Sequence, residues 1–161
     1  MNKVGLLDVN VLVALLVPSH PHHTFAKDWL YTHGVIAGWA TCPVTELGAV
    51  RVCALTKDIK VEPLASAVAI RQLRHRTKKH VWWAESPGKI LEVRKTPIDR
   101  VRDHLTDNYL LGLARRQRGC LITCDRNLAA LGNAEGKQDA LYLLPDEDTA
   151  PGSASSTVSS K

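Results

Sequence analysis

The sequence predicts an α/β domain: three layers, with a central, mostly parallel sheet of four to five strands between helices. Three observations carry this. Short apolar runs at 4–7, 35–40, 120–124 and 140–144 have the length of buried strands. Helical patterns separate them, and strand–helix alternation favours crossover connections and a parallel sheet. Acidic residues recur where a strand hands over to a helix, at the edge where open α/β sheets bind their ligands.

The first strand, 4–7, is followed by Asp8 and Asn10, then by a Leu/Val-rich stretch that ends at Pro18 and reads as a helix entering the core. Either polar residue can cap that helix; Asp8 also stands on the ligand-binding rim. Pro18, Ser19 and Pro21 make a turn. The neighbouring His20, His22 and His23 lack a fourth partner at ligand spacing, which argues for a loop and helix start over a metal site. Residues 24–33 form an amphipathic helix with Phe25, Trp29 and Leu30 on one side, stopped by Gly34. The second strand is expected at 35–40.

Pro43 suits the first turn of the next helix, which places Glu46 in that turn, where an acid also complements the helix dipole. Another helix spans 63–75. Its basic end, from Arg71 to Lys79, is either a dipole-favoured, solvated terminus or an edge that tracks phosphate. A short strand at 81–84 would put Trp82 and Trp83 on opposite faces, one in the core, the other free to stack a base or fill a dimer interface. A short helix at 86–93 and a polar connection at 99–104 lead to a long helix capped by Thr106 or Asp107 and ended by Gly119. Asp125 follows the strand at 120–124, then a short helix at 126–131 and the last strand. Beyond 144 the chain turns Ser-, Gly- and Pro-rich, so one domain over 1–144 with a disordered tail over 145–161 is expected.

Composition narrows the classes. The net charge of +5 is a mild bias toward polyanions. The four cysteines form no C-x-x-C pair and read as small hydrophobes, not as a zinc site. No signal peptide and no apolar run of membrane-spanning length is seen, so a cytoplasmic protein without membrane attachment is expected.

Asp8 and Asp125 each end a strand; Glu46 and Asp107 each open a helix. A parallel sheet brings all four to one edge. Clustered carboxylates repel, and a hard divalent cation with oxygen ligands removes that cost. Mg²⁺ or Mn²⁺ held this way polarises a phosphoryl oxygen and activates water.

The blocks 6–12 (around Asp8), 45–47 (Glu46), 106–111 (Asp107) and 123–128 (Asp125) resemble the four acidic blocks of PIN-domain ribonucleases, in particular the VapC toxins of bacterial VapBC toxin–antitoxin pairs. The resemblance reaches from the N-terminus to about residue 144. It implies a PIN-like fold, a Mg²⁺- or Mn²⁺-dependent endoribonuclease acting on RNA, a homodimer and a VapB-type antitoxin partner. By the same resemblance Asp8, Glu46, Asp107 and Asp125 are catalytic metal ligands, with Asn10 and Asn127 as secondary polar groups. Asn10 stands where many relatives carry Thr or Ser, and Asn127 where some carry another acid. The competing readings are an aspartyl-dependent phosphohydrolase, which commonly has a second Asp where this chain has Asn10, and an inactive RNA- or antitoxin-binding module.

Overall fold

The computed structural model describes residues 2–84, 105–128 and 141–145. The expected helix at 86–93, the connection at 99–104, the second half of the helix at 126–131 and the tail beyond 145 lie outside them.

The described strands are β1 (Gly5–Leu7), β2 (Trp39–Thr41), β3 (His80–Trp82), β4 (Cys120–Thr123) and β5 (Leu141–Leu143). All pair in parallel, in the order β3-β2-β1-β4-β5. The helices among the described residues are α1 (Val9–Leu16), α2 (His23–Trp29), α3 (Val35–Ala37), α4 (Pro43–Leu55), α5 (Pro63–Arg76) and α6 (Leu105–Arg116).

The strand order follows from where the apolar side chains go. Along a strand they alternate between faces. Leu7, Trp39 and Ile122 pack with Val11, Leu12, Trp29, Leu30 and Ile70 on one face. Leu6, Ala40 and Leu121 pack with Leu110, Leu113 and Ala114 of α6 on the other. β1 and β4 are buried at every position, as the centre of a sheet covered on both faces requires. Fully burying one such Leu or Ile contributes about 1.5–3 kcal/mol. The expected three-layer, parallel α/β arrangement is the one observed.

Two local expectations are corrected. Gly34 does not stop the second helix: a π-helical turn over Leu30–Gly34 leads directly into α3, and Gly34 keeps right-handed helical torsions, φ −60° and ψ −45°. The Gly38 N–H still bonds to the Gly34 carbonyl at 2.9 Å. The stop is Gly38, at φ 106° and ψ 151°, a conformation that L side chains rarely adopt. The second strand therefore starts at Trp39, later than its Val-Ile sequence implies, and Val35 and Ile36 are helical. Trp83, just beyond β3, is buried against the α6 face, whereas Trp82 is exposed.

The order 3-2-1-4-5 contains a reversal. From β1 the chain builds outward through β2 and β3, then returns to place β4 on the other side of β1. The crevice beyond the carboxyl ends of β1 and β4 is this reversal point, where open parallel sheets bind ligands. α1 leaves it from β1, and the segment holding Asp125 leaves it from β4.

Candidate active site

Asp8 occupies this crevice. Its backbone N–H bonds to the Ile122 carbonyl at 2.9 Å, which joins the ends of the two central strands. As the N-cap of α1 it accepts from the Val9 N–H through Oδ1 at 2.6 Å. Oδ2 accepts from the Thr123 hydroxyl at 2.8 Å. Capping and rim position are thus both true of Asp8, and two fixed donors orient its carboxylate. Asp8 is buried, and burial pushes its pKa from 3.8 up to about 6; the two hydrogen bonds oppose this, and the charges of Asp107 and Asp125 add to it. The protonated form is favoured by desolvation first and like-charge repulsion second.

Asp125 follows β4. Its Oδ1 accepts from the backbone N–H groups of Asn127, at 2.7 Å, and Leu128, at 3.4 Å, while its own N–H bonds to Thr123 Oγ1 at 3.0 Å. Thr123 therefore links the two aspartates through a single hydroxyl. Asp107 lies in the first turn of α6, half-buried. Nearby, Cys124 reports the same negative field: burial, then the charges of Asp8 and Asp125, push its thiol up to about 12.

Asp107 and Asp125 are thus both within electrostatic reach of Asp8. Glu46 is held differently. In the first turn of α4, beside Pro43 at the helix start, its Oε1 accepts from the Thr41 hydroxyl at 2.6 Å and from Arg74 Nη1 at 3.2 Å. Its counter-ion comes from the last turn of α5, a partner that sequence proximity does not disclose. The Thr41 hydroxyl donates its one proton to Glu46, so at 2.8 Å from His80 Nε2 it must accept, which puts the ring proton on Nε2. Burial, with the charge of Arg74, lowers the His80 pKa to about 4, in keeping with a neutral ring. Asn10 is exposed in the first turn of α1, and Asn127 is exposed beside Asp125.

The donor chemistry fits a hard divalent cation. Every candidate ligand atom is a carboxylate oxygen, and each Asp8 oxygen keeps a lone pair beyond its one donor. Among the described residues, no three His, Cys, Asp or Glu side chains are gathered into a ready ligand cage. Mg²⁺ does not demand one, since it binds through one or two carboxylates and keeps several waters.

No protein-family model matches the chain. Curated relatives do. The chain is 39% identical over 134 residues to ribonuclease VapC39 of Mycobacterium tuberculosis, an alignment spanning 81% of this chain and 94% of the relative. It is 37% identical over 129 residues to ribonuclease VapC44 of the same organism, covering 78% and 88%. With ribonuclease VapC38 it shares 36% over 140 residues, covering 83% and 94%. The chain belongs to the VapC family of PIN-domain ribonucleases. Family membership agrees with the acidic blocks and the parallel three-layer fold. Among the described residues no helix is long and apolar enough to cross a membrane.

Sequence reasoning missed Thr123, Thr41, Arg74 and His80. The two threonines end strands β4 and β2; Thr41 reaches Glu46 on the helix that follows its own strand, a placement visible in the sequence, whereas Thr123 reaches Asp8 across the sheet, which spacing does not disclose. The pairing of Arg74 with Glu46 was likewise not visible, because it depends on α5 packing beside α4.

Proposed function

We propose that this VapC-family chain is a Mg²⁺- or Mn²⁺-dependent endoribonuclease and the toxin of a toxin–antitoxin pair. The observation that carries this reading is the Asp8 carboxylate, buried at the β1–β4 reversal point, fixed by two donors and lying in the fields of Asp107 and Asp125. Asp8, Asp107 and Asp125 would hold the metal. Glu46, already paired with Arg74, would act from further out. A bound divalent cation supplies charge for the phosphodiester and lowers the pKa of water.

The protein's own part is positioning. Val9 and Thr123 hold the Asp8 carboxylate in one orientation, and the backbone of 127–128 does the same for Asp125. These two carboxylates are thus each oriented by fixed donors, a contribution to the preorganisation on which electrostatic catalysis depends. As the family resemblance implies, the products carry a 5′-phosphate and a 3′-hydroxyl, the protein acts as a homodimer, and a VapB-type antitoxin is its inhibitor. An antitoxin Arg or Lys entering among Asp8, Asp107 and Asp125 would compete with the cation by charge. The aspartyl-phosphohydrolase reading is disfavoured by Asn10, which stands two residues after Asp8 where that chemistry commonly has a second Asp.

The deciding experiment is cleavage of mixed single-stranded RNA in Mg²⁺, Mn²⁺ and EDTA. Cleavage in either metal, none in EDTA, and loss of most activity in Asp8→Ala, Asp107→Ala and Asp125→Ala are expected. Undiminished cleavage in EDTA, or by a purified Asp8→Ala protein, would overturn the proposal.

A further inference from the structure

Trp82 is unlike the other tryptophans. Trp29, Trp39 and Trp83 are at most 5% exposed, whereas Trp82, the last residue of β3, is 41% exposed. The Arg74 guanidinium lies over its ring, 5.1 Å from the centroid. Arg74 is also tied to Glu46, so the cation is braced from two sides. One of its five N–H donors is used by Glu46 in that ion pair. Trp82 is in register with Thr41, whose hydroxyl bonds to Glu46. The indole, the guanidinium and Glu46 thus share the carboxyl edge of the sheet that carries the aspartates. β3 is two strands from β1, which is about 10 Å. His75 and Arg76 share the last turn of the helix with Arg74, and Arg71 lies about one turn earlier.

An exposed indole under a braced guanidinium has the two chemistries that single-stranded nucleic acid needs: a flat apolar face for a base and fixed N–H donors for a phosphate. We propose that Trp82 and Arg74 form a nucleotide seat for single-stranded RNA beside the cleavage crevice, with a base stacked on Trp82 and a backbone phosphate on Arg74. This deepens, and rests on, the ribonuclease reading; it adds a residue pair that positions RNA without touching the reacting atoms.

The test is binding, measured in EDTA with the oligonucleotide verified intact afterwards. Two fluorescently labelled RNA-length probes with the same backbone charge are compared, one carrying bases and one with abasic positions. Wild type should prefer the base-bearing probe about tenfold, in line with the worth of one stacked base. Trp82→Leu should lose that preference, and Trp82→Phe should keep most of it. RNA should also shield the indole from acrylamide, because Trp82 is the exposed tryptophan. The seat is overturned if Trp82→Leu discriminates the probes as wild type does, or if RNA leaves acrylamide quenching unchanged. It is equally overturned if Trp82→Leu alters the oligomeric state while base-dependent binding persists, which would make Trp82 an interface residue. Metal-dependent cleavage by wild type is measured in parallel. Cleavage with no base preference at Trp82 removes the seat alone; base-dependent binding without cleavage in any metal removes the ribonuclease reading and leaves the seat standing.

Discussion

Asp8 carries two burdens, a helix cap and a buried charge, and they pull its stability in opposite directions. The cap and the Thr123 bond favour the carboxylate; desolvation and the neighbouring aspartates disfavour it more, leaving its pKa near 6 instead of 3.8. Because the folded protein binds this proton more tightly than the unfolded chain, the contribution is fully present below pH 3.8 and is lost as pH rises through about 6. Its size is on the order of 3 kcal/mol. Asp8→Asn removes the titration while leaving an oxygen to accept from Val9. In EDTA, the stability of Asp8→Asn relative to wild type should therefore grow from about pH 4 to 6 and then level off. Denaturant melts across that range check this; a difference independent of pH would show that Asp8 titrates normally. Glu46 is held in an ion pair with Arg74 and not among the aspartates. Glu46→Ala should reduce cleavage less than Asp107→Ala does, in single-turnover rates measured at saturating Mg²⁺.

At the scale of elements, the turn between α3 and β2 decides whether Trp39 and Thr41 reach their register. Gly38 holds that turn at φ 106°, and a Cβ there would lie 3.1 Å from Val4 Cγ2. Gly38→Ala combines backbone strain with a tight contact and should cost about 1–3 kcal/mol. The strain is passed to β2, so amide exchange should rise at Trp39 and Thr41 before it rises in α6. Gly5 tests packing instead. A Cβ on it would enter the Trp29 ring, with Cζ2 at 2.6 Å, and would meet Ile122 Cγ1 at 2.8 Å. Gly5→Ala should destabilise by about 1–3 kcal/mol, the usual cost of overpacking a core. A chemical-denaturation midpoint unchanged from wild type would contradict both.

For the whole molecule, the aspartates couple charge to fold stability. Without a cation, Asp107 repels Asp8 across the crevice. Asp107→Asn keeps the shape and removes that repulsion, worth on the order of 1 kcal/mol near the surface. In EDTA its melting temperature should exceed that of wild type by roughly 2–4 °C. Millimolar Mg²⁺ should stabilise wild type and do little for Asp107→Asn, because stabilisation by a ligand needs its site. Thermal melts of both proteins, with and without the metal, check this. A wild type indifferent to Mg²⁺ and Mn²⁺, with a less stable Asp107→Asn, would make Asp107 a helix-start residue and nothing more.

The sequence by itself determined whatever depends on neighbours along the chain. Short apolar runs between helical patterns led to the parallel sheet. Pro43 set the start of α4 and so put Glu46 in its first turn, and Asp8 fell at the end of β1 because the apolar run stops there. Torsions, caps and alternation act over a few residues, so spacing is enough to read them. The tertiary structure decided the partners. Thr123 reaches Asp8 across 115 positions because β4 lies beside β1, and Arg74 reaches Glu46 across 28 because α5 packs on α4. It also carried Val35 and Ile36 into a helix despite their β-branched side chains, since the ladder of hydrogen bonds through Gly34 continues until Gly38 breaks it. It buried Trp83 and exposed Trp82, a choice left open by strand alternation because two faces of a sheet are equivalent until helices cover them. Charge pairing and burial depend on which elements meet in space, and that is fixed by the order of strands in the sheet.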